Sequence, residues 1–333
     1  MIGEHVDYND GLVLPMPVRH GTAVAWRRTA GGQAAAWAAD FDASDRFALA
    51  DPGRPPSTDW RAYVRGMAAY APARPAGGVE MAIAGDLARE AGLSSSASLC
   101  VAIGRALAEA AGVQPDPTTL ALAAQRTEHD YAGVACGIMD QMAGAAGRPG
   151  AAMLLDCRDL AYRHVALPAR WAVAVVASGV TRGLVEGEYN ARRRQCEEAA
   201  ARLGVASLRE ATLEQIAAAA LGEPLARRAR HVVSEIGRVR QALAAIERAD
   251  IAAMARVLSE GHASLRDDFE VSHPVVDELV ERLQAMLGQA GGARMTGAGF
   301  GGSVVVVGES DAVRRAIGAF PETATMVHGP SSE

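Results

Sequence analysis

Lysine is absent from this chain of 333 residues, and all 33 of its basic residues are arginine. A Walker A loop needs a lysine after its glycines, a protein kinase needs a lysine on a strand, and a Schiff-base enzyme needs a side-chain amine. The sequence therefore excludes these three mechanisms. A site that handles phosphate in this chain has to use backbone N–H groups, arginine and metal.

Long apolar runs and closely spaced cysteines are absent too. No apolar run approaches the roughly 20 residues of a membrane span, and the N-terminus has no charged and then apolar leader. The cysteines at 100, 136, 157 and 196 form no close pairs, which predicts reduced thiols in a cytoplasmic protein rather than disulfides or a zinc site. A net charge of −6 argues against nucleic acid or an anionic membrane as a partner.

The order of strand-like and helix-like patterns predicts an α+β protein with two domains, residues 1–167 and 168–333. The first half reads as short strands and then helices, among them a helix over residues 117–131, and strands follow at residues 152–156 and 171–177. The second half is mostly helical from residue 183 to 287 and closes with strand, helix and strand.

Three serines stand at the start of a predicted helix, in the segment AGLSSSASLCVAIGRAL at residues 91–107. Gly92 allows a tight turn before them, and an apolar helix follows at once. The N-terminus of such a helix offers N–H groups and a positive dipole end, and both favour an anion. An ordinary capping serine is the alternative for any one of them, but three in a row favour phosphate binding.

An acid in apolar company marks the segment QRTEHDYAGVACGIMDQMAG at residues 125–144. Asp140 is flanked by Ile138, Met139 and Met142, which predicts that its carboxylate is partly buried. Buried carboxylates are rare unless they are paired or catalytic. The alternative for this segment taken alone is a capping aspartate at the start of a short helix.

Glycines dominate a third segment, RMTGAGFGGSVVVV at residues 294–307. Gly297, Gly299 and Gly302 fit the pattern G-x-G-x-x-G of dinucleotide-binding proteins. That pattern follows a strand and opens a helix, whereas here it leads into an apolar strand. We therefore predict a glycine turn between two strands, packed close to another loop or a ligand.

The chain opens with MIGEHVDYNDG, a dense cluster of acids, a histidine and an asparagine. GEHVDYNDG, GLSSSAS and CGIMDQ, in this order, resemble motifs of the GHMP kinase family, and most closely those of its galactokinases. Two further stretches, EYNARRRQCEEAAARLG at residues 188–204 and LRDDFEVS at residues 265–272, extend the resemblance. It covers nearly the whole chain.

The resemblance implies a GHMP kinase fold with a mixed-sheet N-terminal domain, a ferredoxin-like C-terminal domain of helices and sheet, and the active site between them. It implies ATP- and Mg²⁺-dependent phosphorylation of the anomeric hydroxyl of galactose by a monomer whose partners are a small-molecule sugar and ATP. Two alternatives stay open. One is the same chemistry on another sugar, such as arabinose or N-acetylgalactosamine, and the other is a low-turnover sensor that binds sugar and ATP.

The resemblance also implies roles for individual residues. The positions that match the sugar pocket are Glu4, His5, Asp7, Gly137 and Tyr189. Those that match the ATP loop are Gly92, Leu93, Ser94, Ser95, Ser96, Ala97 and Ser98. Ser96 and Glu128 match the Mg²⁺ ligands, and Asp140 matches the base that faces the anomeric hydroxyl. For Tyr189 the alternative is a tyrosine on a helix surface, and we expect the run of arginines at 192–194 to be a solvated or salt-bridged helix face.

The chain departs from the family at two places. In the family, a strand with the sequence Pro-Gly-Arg-Val-Asn-Leu precedes GEH, and its arginine stands beside the catalytic aspartate. Met1 takes the leucine position here, so we expect either a start further upstream or a truncated protein; otherwise Arg182 or Arg294 would serve the site. In addition, Glu90 places a negative charge before the ATP loop, where we expect it to weaken nucleotide binding.

Overall fold

The computed structural model describes residues 1–55, 57, 59–87, 92–180 and 185–329. The strands are β1 (Leu12–Val13), β2 (Thr22–Thr29), β3 (Gln33–Ala38), β4 (Ala43–Ala48), β5 (Gly78–Gly85), β6 (Ala151–Asp156), β7 (Tyr162–Ala166), β8 (Trp171–Ala177), β9 (Gly291–Thr296), β10 (Ser303–Glu309) and β11 (Ala324–His328). The α-helices are α1 (Trp60–Tyr70), α2 (Ser95–Ala110), α3 (Pro117–Thr127), α4 (Met139–Ala146), α5 (Val185–Leu203), α6 (Leu213–Ala218), α7 (Leu225–Glu247), α8 (Ile251–Asp267), α9 (Pro274–Leu287) and α10 (Ser310–Ile317).

The chain divides into two compact units. The first unit consists mainly of Val18–Ala88 and Ser94–Ala146, and the second takes in Met1–Pro17 and Gly147–Glu333. This division does not coincide with the predicted boundary at residue 167, because β1 pairs with β6 and so ties the opening residues to the later part of the chain. The boundary at residue 167 remains a prediction about the family's domain order.

The first unit contains a mixed sheet of four strands in the order β2-β5-β3-β4. β3 and β5 run parallel, whereas the other neighbours are antiparallel. Alternate residues of β3 and β5 are buried, because successive side chains of a strand point to opposite faces. The helices α1, α2 and α3 pack on one another, and α2 also contacts β2. The predicted mixed sheet is confirmed.

The second unit contains a four-stranded antiparallel sheet in the order β11-β8-β10-β9. Helices separate β8 from β9, a glycine turn joins β9 to β10, and α10 leads to β11, which gives the ferredoxin-like order β-α-β-β-α-β. β8 and β10 are buried along nearly their whole length and form the core with α8, α9 and α10. A separate sheet has the order β1-β6-β7.

Several local features differ from the sequence-based expectation. The helix predicted over residues 117–131 is α-helical only to Thr127, and a π-helical turn, Glu128–Ala132, follows it. The strand β7 was not predicted, since only Val165 among its residues is buried. The glycine turn between two strands is confirmed by β9 and β10. No helix among the described residues is long and apolar enough to span a membrane.

Candidate active site

The serine segment forms the N-terminus of α2, a helix of 16 residues. Ser94 takes a left-handed backbone conformation, with φ of 59°, and its side chain makes no capping hydrogen bond. Ser94 is therefore not an ordinary capping serine. Gly92, also with a positive φ, and Leu93 lead into the turn, while Ser98 further along donates to the Thr22 hydroxyl at 3.0 Å. The first turn of α2 presents N–H groups and the positive dipole end in the arrangement that binds phosphate.

Ser96 and Glu128 lie next to each other. The Ser96 hydroxyl donates to Glu128 Oε2 at 2.8 Å, and Gln141 Nε2 donates to Glu128 Oε1 at 2.6 Å. Glu128 is only 3% exposed. Burial raises the pKa of Glu128 to about 7; the hydrogen bonds from Gln141 and Ser96 act against this, and the charge of Asp140 adds to it.

The oxygens of Ser96 and Glu128 fit a magnesium ion. Mg²⁺ prefers hard oxygen ligands in an octahedron, and ligands at about 2.05 Å place neighbouring oxygens about 2.9 Å apart, close to the 2.8 Å seen here. Over the described parts of the chain, no group of three His, Cys, Asp or Glu side chains could hold a metal ion. The remaining ligands would have to be water and substrate phosphate, which is how proteins usually bind Mg²⁺.

Asp140 is exposed, so the predicted partial burial is wrong. It lies in the first turn of α4, where Gln141 and Met142 point into the interior. Because a helix turns by about 100° per residue, apolar neighbours in sequence do not bury the residue between them. Its charge nevertheless acts on Glu128. Gly137 is buried three residues before it, ahead of the start of α4.

The opening segment, Gly3–Gly11, is a tight loop of the second unit. Gly3 has φ of 109°, and a Cβ at this position would lie 2.9 Å from Val13 Cα, so only glycine fits. His5 also takes a positive φ, 64°, which is uncommon for a residue with a side chain. Glu4 and His5 are buried, whereas Asp7 begins a short 3₁₀ turn and is half-buried.

The ring of His5 is enclosed by hydrogen bonds and aromatic side chains. Its Nε2 donates to the carbonyl oxygen of Ala298 at 3.1 Å, and its Nδ1 lies 2.9 Å from the Tyr8 hydroxyl. The ring centroids of Tyr189 and Phe269 lie 5.2 and 4.7 Å from that of His5. Tyr189 therefore packs against the opening segment and is not a helix-surface tyrosine. The contact with Ala298 confirms that the glycine turn packs close to another loop.

The predicted site residues thus fall into two groups. Within the second unit the structure brings together Glu4, His5, Asp7 and Tyr189. Within the first unit it brings together residues 94–98 of the predicted ATP loop, Glu128, Gly137 and Asp140, whereas Gly92 and Leu93, just before the helix, are counted with the second unit. The first group carries acids, an imidazole and a phenol, which suit a polyhydroxyl ligand; the second carries a helix N-terminus and hard oxygens, which suit a metal-bound polyphosphate.

Three family patterns match the chain. GHMP kinases N terminal domain matches residues 61–148, GHMP kinases C terminal matches residues 242–324, and the galactokinase galactose-binding signature matches residues 1–28. Galactokinase of Mannheimia succiniciproducens is 41% identical over 316 residues, which are 92% of this chain and 82% of that protein. The chain belongs to the galactokinase family of the GHMP kinases. It is accordingly an ATP-dependent sugar kinase.

Further relatives agree with this family. Galactokinase of Pasteurella multocida is 40% identical over 95% of this chain and 86% of its own length. The crystal structure of Lactococcus lactis galactokinase complexed with galactose matches with a TM-score of 0.90 and 31% identity, over 99% of this chain and 92% of that one. Methanococcus jannaschii mevalonate kinase, at 13% identity, 99% and 95% coverage and a TM-score of 0.67, shares the fold. The predicted two-domain GHMP kinase fold is confirmed.

Sequence patterns missed several residues that contact the site. Gln141 and Cys136 lie within CGIMDQ, yet nothing local indicates that Gln141 Nε2 reaches both Glu128 and the Cys136 thiol. Glu235 lies in no recognisable sequence motif.

The run of arginines at residues 192–194 is a salt-bridged helix face, as predicted, at Arg193, which pairs with Glu197. Arg192 differs, because it is buried and donates to the carbonyl oxygens of residues 269 and 270.

The departures from the family raised questions about Glu90 and about which arginine could replace the one missing before GEH. Arg182 and Glu90 lie outside the described residues. Arg294 is fully buried in the second unit, where it pairs with Glu4 and Glu235.

Proposed function

We propose that this protein transfers the γ-phosphoryl group of ATP to the anomeric hydroxyl of galactose, giving galactose 1-phosphate and ADP. The observation that carries the proposal is the likeness to Lactococcus lactis galactokinase, a structure solved with galactose, which extends over 99% of this chain. The match of the galactose-binding signature to residues 1–28 supports it at the level of the opening segment.

Sugar recognition is assigned to Glu4, His5, Asp7, Gly137 and Tyr189. Carboxylates accept hydrogen bonds from sugar hydroxyls, and a histidine or tyrosine ring covers an apolar sugar face. Asp7 is half-buried and is therefore more open to a ligand than Glu4 and His5, which are enclosed. The aromatic packing around His5 supports this assignment, because it gives the segment one fixed shape.

ATP binding is assigned to the loop of residues 92–98, through the N–H groups at the start of α2. Ser96 and Glu128 would hold Mg²⁺, which offsets the charge of the phosphates when bound. The hydrogen bond from Gln141 leaves Glu128 Oε2 directed at Ser96, the side on which a metal ion would sit. This chain's own contribution to phosphoryl transfer is therefore positioning and fixed charge, as is usual for the reaction.

Asp140 is assigned as the group that accepts the proton of the anomeric hydroxyl. A general base has to be reachable by substrate, and Asp140 is exposed at the start of α4. Glu128 is a poorer candidate, because it is buried and already accepts hydrogen bonds from Ser96 and Gln141.

An assay of ADP release over a small sugar panel tests the proposal. The panel holds galactose, arabinose, N-acetylgalactosamine and glucose, with a reaction without sugar as the control for ATP hydrolysis. We expect galactose to give the highest kcat/KM, and mass spectrometry to find the phosphate on the anomeric oxygen. A clear preference for another sugar would replace galactose as the substrate. Binding of sugar and ATP without ADP release would instead identify a sensor.

The physical state of the protein is part of the proposal. We expect a monomer that works in the cytoplasm with its cysteines reduced; all four cysteines lie among the described residues, and none of them forms a disulfide there. Light scattering combined with size exclusion, in the presence and absence of galactose and ATP, measures the oligomeric state directly. A stable dimer under both conditions would contradict this expectation.

A further inference from the structure

A buried ion-pair cluster holds the opening segment in place. Arg294 Nη2 lies 2.6 Å from Glu4 Oε2 and 2.8 Å from Glu235 Oε1. The side chains of Arg294, Glu4 and Glu235 are 0%, 3% and 0% exposed. One guanidinium nitrogen thus bridges a carboxylate of the opening segment and a carboxylate of α7, away from water.

The helix α7 also holds the backbone of the opening segment, and the strand β9 holds the Glu4 side chain a second time. Glu235 Oε1 accepts from the Gly3 N–H at 3.1 Å. His231, one turn earlier on α7, lies with its Nε2 3.2 Å from the Glu4 carbonyl oxygen. On β9, the Thr296 hydroxyl donates to Glu4 Oε1 at 2.9 Å. Both carboxylate oxygens of Glu4 are therefore held, one by Arg294 and the other by Thr296. The Ile2–Gly3 and Glu4–His5 peptide groups are fixed by α7.

The charges of the cluster balance. Two carboxylates, Glu4 and Glu235, face two guanidinium groups, since Arg238 donates to Glu235 Oε2 at 2.7 Å. Burial by itself would raise the pKa of Glu235, but Arg294 and Arg238 outweigh it and lower this pKa to about 2. The pKa of Arg294 is raised: burial would lower it, but Glu235 and Glu4 outweigh that effect. Glu235 and Arg294 are therefore both charged when the protein is folded at neutral pH.

Stability alone is a poor explanation for such a cluster. Removing charges from water costs several kcal/mol per ion, roughly, and well-packed apolar residues often stabilise as much or more. What an ion cluster adds is a single geometry, because each hydrogen bond has a preferred direction. The geometry fixed here is that of Glu4, one of the residues assigned to the sugar.

We propose that Arg294 and Glu235 are positioning residues for the sugar: they orient the Glu4 carboxylate and the backbone of Gly3–His5, and so determine sugar affinity and not ATP affinity. This proposal rests on the proposed function, in which the opening segment binds the sugar. Neither residue is assigned a contact with the substrate.

The central test is Arg294→Lys. An ammonium group keeps the charge, but lysine is one bond shorter than arginine, so its nitrogen does not reach the position between the two carboxylates where Arg294 Nη2 lies. We expect the KM for galactose to rise by at least about tenfold, which corresponds to roughly 1.4 kcal/mol, while the KM for ATP stays within about twofold of wild type. The affinity for galactose in the absence of ATP, measured by calorimetry, should fall by the same factor as the galactose KM rises.

A second variant keeps the proposal testable if Arg294→Lys does not fold. Thr296→Val preserves side-chain shape and removes only the hydroxyl that donates to Glu4 Oε1. It leaves every charge of the cluster in place. We expect a smaller rise in the galactose KM, about threefold to tenfold, again with the ATP KM unchanged.

Arg65→Lys is the matched control. Arg65 donates through Nε and Nη2 to both oxygens of Asp45, each at 2.8 Å, in a largely buried pair of the first unit. The same substitution therefore breaks a comparable pair that includes no residue of the opening segment. We expect a loss of thermal stability with the galactose KM unchanged.

The outcomes separate the two proposals. If wild type turns over galactose, and folded Arg294→Lys and Thr296→Val both keep the wild-type galactose KM, the positioning role is wrong while the proposed function stands. Equal rises in the galactose and ATP KM values would also overturn it, because they indicate general damage. If wild type prefers another sugar of the panel, the comparison is made with that sugar. If wild type neither binds nor phosphorylates any sugar, both proposals are wrong.

Discussion

Ser96 Oγ and Glu128 Oε2 lie 2.8 Å apart although 32 residues separate them in the chain. The start of α2 supplies the hydroxyl, and the π-helical turn after α3 supplies the carboxylate. The N-terminus of α2, proposed to bind phosphate, and a buried acid are thereby joined in one place, within a single compact unit.

Glu128→Gln should raise the Mg²⁺ concentration needed for half-maximal activity by roughly 10- to 100-fold, since a metal site loses about this much affinity when a supporting group is removed. The amide keeps the volume of the side chain but lacks the charge. Asp130→Asn is the control, because Asp130 lies in the same turn but pairs with Tyr70 and Arg126 instead. Mn²⁺ binding in the presence of ATP, measured by electron paramagnetic resonance, gives a second readout. Equal metal titrations for both variants would remove Glu128 from the metal site.

Asp140→Asn should lower kcat by about 10²–10⁴-fold while galactose affinity stays within about tenfold of wild type, because an amide has the shape of the acid but cannot accept the proton. Single-turnover kinetics and calorimetry measure the two quantities separately. Since Asp140 is exposed, the substitution should leave the melting temperature unchanged. A variant that keeps more than about a tenth of wild-type kcat would show that another group takes the proton.

Two helix glycines should respond in opposite directions to alanine. A Cβ at Gly261, on α8, would lie 2.3 Å from Arg294 Nη1, whereas a Cβ at Gly237, on α7, would meet nothing within 4 Å. We expect Gly261→Ala to lower the free energy of unfolding by about 1–3 kcal/mol and to raise the galactose KM. Gly237→Ala should raise the free energy of unfolding by about 0.5–1 kcal/mol, because alanine favours a helix interior. Urea denaturation compares them; equal stabilities would mean that Arg294 moves aside without cost.

His231 should make the protein less stable in acid. The pKa of His231 is lowered from 6.5 to about 4, chiefly by burial. The charge of Glu235 and the hydrogen bond to the Glu4 carbonyl oxygen oppose this change, whereas Arg238 and Arg294 contribute to it. As the pH falls from 6.5 towards 4, the unfolded chain takes up a proton at this position that the folded chain does not. The free energy of unfolding therefore falls, by about 2 kcal/mol between pH 7 and 5 at about 1.4 kcal/mol per pKa unit.

His231→Gln separates this contribution from others. A glutamine amide can donate to the Glu4 carbonyl oxygen and accept from Ser264, the two partners of His231, but it does not titrate in this range. Urea denaturation at pH 7 and pH 5 should show a smaller loss for the variant than for wild type. The loss should not vanish, because burial also lowers the pKa of His262 to about 4. Equal losses would show that His231 does not titrate on unfolding.

Patterns that repeat along the chain were readable from the sequence. The apolar runs at 171–177 and 303–309 became the buried strands β8 and β10, and the glycines between 297 and 302 became the turn before β10. β7 was missed because a strand with one buried residue has no apolar pattern. The π-helical turn was missed because its residues read as a continuation of α3.

Pairings across long sequence distances were not readable. Arg294 and Glu4 are separated by 290 residues, and no local pattern links them. The same holds for Glu235, which lies mid-helix on α7 with no motif around it. Asp140 shows the converse error: its sequence neighbours are apolar, but helical geometry turns them away from it. The family resemblance named candidate sugar-binding residues in the opening segment, whereas only the fold shows which residues hold them.

The order of synthesis follows from the discontinuous second unit. Residues 18–146 of the first unit are complete before β6, the partner of β1, has been made. The contacts of the opening segment with Glu235 and Arg294 can form only after these residues have been translated, and Arg294 is the later of the two. At about 5–20 residues per second, translation takes roughly 15–60 s to reach that arginine. During this time the Glu4 carboxylate lacks Arg294 as its partner and stays hydrated. The opening segment is therefore translated before the first unit but acquires its native partners after it.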